Sequence, residues 1–162
     1  MPGRTVQGGG SADFPAVYAF SANLKVINTD TNIWYPQSEL SRELIAYASS
    51  AHIRSESAGL PTIPAGGGVL KVVRYHLTAH SPFSGYGVQV RLYNLTQASE
   101  IYLVSWDASA TPETETTEDE GTPAAPLASA SVNASDVILC QARCDAINAW
   151  CAVNFVCVFE PS

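Results

Sequence analysis

Residues 86–106, YGVQVRLYNLTQASEIYLVSW, limit what this chain can fold into more than any other stretch. Tyr86, Val88, Val90 and Leu92 alternate with Gly87, Gln89, Arg91 and Tyr93. A period of two puts one set on a buried face and the other on a wet face, which is strand geometry. Residues 94–99 are polar and turn-like, and 100–106 run out again, rich in β-branched and aromatic side chains. Such a stretch predicts a β-hairpin near the middle of an antiparallel sheet. The rest of the chain must then supply the strands that cover it.

Further stretches carry the same pattern. Residues 16–27 set Tyr18, Phe20, Ala22, Leu24 and Val26 on one face and Ser21, Asn23 and Lys25 on the other. Residues 69–79, 136–144 and 149–159 read as strong strands, 127–132 as a weaker one. Ile33, Trp34 and Tyr35 form a short strand that Pro36 ends. Residues 38–53 are ambiguous. Leu40, Leu44, Ala48 and Ala51 fit a helical stripe behind Ser38 as N-cap, whereas Ile45, Tyr47, Ser49, Ala51 and Ile53 alternate. The balance falls on a short helix or turn followed by a strand ending near Arg54. About eight strands with at most one short helix predict an all-β fold, an antiparallel β-sandwich of the jelly-roll kind.

Two segments lack a core-forming pattern. Residues 1–15 are Gly-rich and polar, with Arg4 as their only base. They cannot bury enough apolar area to fold alone, and read as a flexible N-terminal arm, frayed or ordered against a neighbouring subunit. Residues 107–126, DASATPETETTEDEGTPAAP, have no Lys or Arg and read as a long solvated acidic loop. Their acids lack the D-x-[DN]-x-[DN]-G spacing of a preorganised calcium loop. Residues 16–162 then make one sandwich domain.

Charge narrows the partners. The chain carries a formal charge of −7, which argues against nucleic acid or an anionic membrane. Asp107, Glu113, Glu115, Glu118, Asp119 and Glu120 supply six of its fifteen acids, so the remainder is close to neutral. Charged residues make up 14% of the sequence, against about 25% in ordinary domains. A surface so poor in charge suggests packing against other subunits. No apolar run approaches the roughly 20 residues that span a bilayer. The start, MPGRTVQGGG, has no hydrophobic h-region. This reads either as a mature chain or as a protein made and assembled inside a cell.

The four cysteines lie in the last two strong strands. A hairpin turning near Ile147 sets Cys144 opposite Cys151, and Cys140 opposite Phe155, two residues short of Cys157. Cross-strand disulfides are geometrically open, Cys144–Cys151 above all, with Cys140 and Cys157 needing a bulge; four small buried thiols are the competing reading. The C-x3-C and C-x5-C spacings lack the turns of a zinc knuckle, and C-x-x-C is absent.

Catalytic chemistry finds little support. His76 and His80 on a strand are about 13 Å apart, too far to share a metal, and His52 stands alone. Nucleophile elbow, P-loop, dinucleotide fingerprint and H-E-x-x-H are all missing. Asn94-Leu95-Thr96 and Asn133-Ala134-Ser135 match glycosylation sequons, which without a secretion signal read as coincidence. Trp34, Tyr35, Trp106 and Trp150 are candidates for a sugar-stacking platform, but aromatics in such strands more often serve cores and subunit interfaces. No catalytic, metal or cofactor residue is assigned.

The segment GYGVQVRLYNLTQASEIYLVSW, with the late ILCQARC and AWCAVNFVCVFEP, resembles small β-sandwich structural proteins of tailed-phage particles. In these jelly-roll decoration and head-fibre modules a strand like V-R-L-Y-N-x-T is followed by a loop and closing strands. The positions that match are 90–96, 141–143 and 149–160, in roughly the C-terminal half. The acidic segment and the four cysteines depart from the pattern. The resemblance implies a capsid decoration or cement protein, commonly trimeric, seated between capsomers of the major capsid protein shell. It would sit on the virion surface after synthesis in the host cytoplasm, with neither enzyme activity nor cofactor. Contacts with partners would fall on the arm, through Arg4, and on a sandwich edge with Trp34 and Tyr35 as aromatic anchors. A carbohydrate- or receptor-binding head of a phage fibre is the alternative.

Overall fold

The structure, a computed structural model, describes residues 16–27, 31–35, 46–48, 51–55, 63 and 66–162; for 16, 46–48 and 51–55 only the backbone is described. The arm 1–15, with Arg4, and residues 36–45, where a helical stripe is expected behind Ser38, lie outside these residues; Ala48 and Ala51, counted in that stripe, are strand residues instead. Among the described residues none is helical. Ten strands run through them: β1 (Ala16–Val26), β2 (Ala46–Ala48), β3 (Ala51–Ser55), β4 (Gly68–Ser81), β5 (Gly87–Asn94), β6 (Ser99–Asp107), β7 (Glu113–Glu120), β8 (Ala128–Val132), β9 (Ile138–Cys144) and β10 (Trp150–Pro161).

They build two antiparallel sheets, so the fold is the expected antiparallel β-sandwich. The larger sheet has the order β2-β3-β1-β10-β4-β7, and the smaller one β6-β5-β9. β4 is long enough to serve two partners along one edge. Its first half pairs with β8 (Gly68↔Val132 to Val72↔Ala128), its second with β7 (Arg74↔Glu120 to Ser81↔Glu113). The expected central hairpin is β5–β6, in register from Gly87↔Asp107 to Asn94↔Ser99.

Alternation explains the packing. Phe20, Leu24, Leu70, Leu77 and Phe155 point inward from the larger sheet, and Val88, Val90, Leu92 and Val104 answer them from the smaller. Phe20, Phe155 and Phe159 have no more than 1% of their surface exposed, and trimming one such ring to Ala costs about 3–5 kcal/mol. Two glycines are dictated by close approach. A Cβ on Gly87 would sit 1.8 Å from the Trp106 carbonyl oxygen, and one on Gly67, itself at φ 64°, would sit 2.3 Å from that of Val132.

Two expectations are corrected. Residues 113–120 are not part of a solvated loop but strand β7, at the edge of the larger sheet. Both its faces carry only Glu, Thr and Asp, so the hydrophobic period is absent. The second correction concerns β9 and β10. They are not a hairpin within one sheet: β9 pairs with β5 in the smaller sheet and β10 with β1 and β4 in the larger. The turn between them carries the chain from one layer to the other. Cys144 and Cys151 therefore meet across the core, not across a ladder.

Candidate functional site

The outward face of the smaller sheet holds a connected set of polar and aromatic side chains. On β5 the buried positions Val88, Val90 and Leu92 leave Gln89, Arg91 and Tyr93 facing out. The register sets Arg143 of β9 beside Gln89, and Gln141 beside Arg91. On the other flank β6 places Ser105 beside Gln89 and Leu103 beside Arg91.

A strap, residues 31–35, runs along the open edge of β9. The Tyr35 N–H donates to the Ala142 carbonyl at 2.9 Å, the Ala142 N–H donates back at 2.8 Å, and the Asn32 N–H donates to the Cys144 carbonyl at 2.7 Å. Asn32 adopts φ 63°, a left-handed conformation that Asn tolerates better than most residues. Along a strap in this register Tyr35 turns inward and Trp34 turns out over the sheet.

Trp34 and Tyr93 clamp one cation between them. The Arg91 guanidinium carbon lies 4.0 Å from the centre of the Trp34 ring and 4.1 Å from that of Tyr93. Its Nε donates to Gln141 Oε1 at 2.8 Å, and its Nη1 lies 3.5 Å from Glu100 Oε2. Arg143 sits 5.0 Å over the same Trp34 ring, and its Nη2 donates to Gln89 Oε1. Gln89 Nε2 in turn donates to Ser105 Oγ at 3.2 Å. Burial lowers the pKa of Arg91, and Glu100 opposes that shift; a guanidinium stays charged regardless. Each ring–cation contact contributes about 0.5–2 kcal/mol, so the side chains are held in place before any partner arrives.

Beside Arg143 the surface dips into a recess of about 100 Å³. Asn32, Gln89, Ser105, Asp107, Arg143 and Asp145 line it. Asp145 is pinned from behind, its Oδ1 accepting the Gly87 N–H at 2.6 Å. The recess can take a hydroxyl-rich group or a short polar side chain.

The opposite face of the sandwich carries two broader, more open recesses around Arg74, of about 330 and 230 Å³. His80 stacks on Trp150 with ring centres 5.6 Å apart, and its Nδ1 lies 2.7 Å from Thr114 Oγ1. His76 Nε2 is 3.8 Å and Arg74 Nη2 3.9 Å from Glu118 Oε2. No nucleophile with an aligned base appears among these groups.

The aromatic residues singled out from sequence do not converge. Trp34 lies on one outer face and Trp150 on the other, while Trp106 is buried and donates from Nε1 to Glu115 Oε2 at 2.5 Å. Tyr35, expected with Trp34 as an aromatic anchor, is only 9% exposed and packs in the core. Sequence reading missed Arg91, Tyr93, Arg143 and Gln89 as a group. Part of the signal was present: Gln89, Arg91 and Tyr93 alternate with the buried positions of β5, whereas Arg143 comes from β9, which has no such alternation. No protein-family model matches this chain, and no curated protein matches it.

Proposed function

We propose that this chain is a structural assembly protein, a self-associating module that decorates and cements the capsid of a tailed phage. In this reading it works by burying surface between copies and against a shell, trimeric and seated between capsomers, and carries out no chemistry. The observation that carries the reading is the clamped Trp34–Arg91–Tyr93 triplet with Arg143 beside it. Trp, Tyr and Arg dominate the energetics of protein interfaces, and side chains already fixed lose little entropy on docking. The low charge of the chain and the acids gathered on the far edge strand agree with it. Its partners would be further copies and the major capsid protein shell, and its place the virion surface.

A carbohydrate- or receptor-binding fibre head is the second reading, favoured by one observation: the polar recess is lined by Arg143, which stacks over the Trp34 ring. Light scattering on the eluting full-length chain separates the two. A mass near three copies, falling toward one copy in Trp34→Ala, supports assembly. A wild-type monomer overturns it, and Trp34-dependent binding to a glycan array by that monomer transfers the case to the fibre head.

A further inference from the structure

Beyond any role in assembly, the four cysteines are arranged for a reaction. Cys144 closes β9 in the smaller sheet, and Cys151 is the second residue of β10 in the larger. The turn between them is tight: the Ala149 N–H donates to the Ala146 carbonyl at 3.2 Å, and the Asn148 N–H to the Val26 carbonyl at 2.6 Å. The two buried side chains therefore face each other across the core where the chain crosses between layers. Further in, Cys140 of β9 and Cys157 of β10 are buried in the same core from the two facing sheets. All four are buried and free.

The arrangement is two pairs rather than one cluster. Cys140 and Cys144 are four positions apart on one strand, about 13 Å, and Cys151 and Cys157 six apart, about 20 Å, so neither same-strand pair can bond. No three or more His, Cys, Asp or Glu side chains among the described residues gather to hold a metal ion. We propose that Cys144 and Cys151 are the site of an inter-sheet disulfide, formed by exchange with a small-molecule disulfide such as glutathione disulfide, with Cys140 and Cys157 as the second pair.

The exchange balances. A Cys144 thiolate attacks one sulfur of glutathione disulfide, breaking its S–S bond and releasing one glutathione thiolate. The Cys151 thiolate then attacks the mixed disulfide at Cys144 Sγ, forming the protein S–S bond and releasing the second glutathione. The two protein thiols lose two electrons and two protons, and both end on the two glutathione thiols. In the closed fold the reaction is held back. The neighbouring Cys151 thiol and then burial raise the pKa of Cys144, and burial pushes Cys157 up to about 12, so thiolates are scarce. Oxidation accordingly takes place during folding or when the turn opens.

The test refolds the reduced full-length chain in a glutathione redox buffer, blocks free thiols, and maps linked peptides by mass spectrometry without reduction. The proposal expects the peptides of Cys144 and Cys151 joined, and those of Cys140 and Cys157 joined less completely. Closing a loop of eight residues should raise the folding equilibrium constant about 60-fold, an increment that dithiothreitol reverses. The double substitution C144A/C151A should abolish the increment, and C140A/C157A should keep most of it. Four free thiols, stable glutathione adducts, or linkage of Cys140 to Cys144 or of Cys151 to Cys157 would overturn it, and wild-type mapping decides the matter even where a variant fails to fold.

Discussion

A single carboxylate shows how a buried polar group can hold two turns together. Asp136 Oδ2 accepts from Asn94 Nδ2 at 2.8 Å, Gln97 Nε2 at 2.5 Å and the Asn133 N–H at 2.9 Å. It thereby ties the β5–β6 turn to the β8–β9 turn. Burial alone would raise its pKa, but the hydrogen bonds from Asn133, Asn94 and Gln97 outweigh it and the net shift is downward. A carboxyl whose pKa is lower folded than unfolded contributes stability that is complete above its unfolded value. That contribution disappears as pH falls through the folded value. Asp136→Asn should therefore cost about 1–2 kcal/mol in urea unfolding at pH 7, with the gap to wild type closing as pH falls below about 4. A gap unchanged at pH 2.5 would contradict this. The same contacts bury Asn94 in one of the two sequons, a fact no local sequence rule reveals because Asp136 is 42 residues away.

Strands buried on one face were legible from sequence, and those without such a face were not. β1, β4, β5, β6 and β10 announce themselves because each alternates apolar with polar residues. β7 does not, since an edge strand wet on both sides has no apolar set to reveal it. Thr114, Thr116 and Thr117, with their β propensity, were its one local signal. Which sheet receives β9 was equally hidden, because alternation fixes a strand's faces but not its neighbours. β7 is also tied to the other layer, through Glu115 and the buried Trp106 indole. Glu115→Ala should lower stability by about 1 kcal/mol and speed amide exchange across 113–120, and Glu115→Gln, which keeps an acceptor, should do less. Equal effects from the two substitutions would show that the hydrogen bond is not what anchors the strand.

Among the described residues, the acidic cluster and the ring-covered arginines lie on different sheets. The acids crowd onto β7 at the edge of the larger sheet, while Arg91 and Arg143 sit with Trp34 and Tyr93 on the outer face of the smaller. The candidate site was half visible in the sequence. Trp34 was singled out, but the arginines that it covers come from β5 and β9, and only the sheet register brings them together. Hydroxyl-radical footprinting, read by mass spectrometry in dilute and concentrated protein, tests most directly whether this face is the one that docks. The account predicts that Trp34 and Tyr93 lose reactivity on concentration while the exposed Phe83 and the Trp150 of the opposite face keep theirs. Protection of Trp150 with Trp34 and Tyr93 unchanged would contradict it.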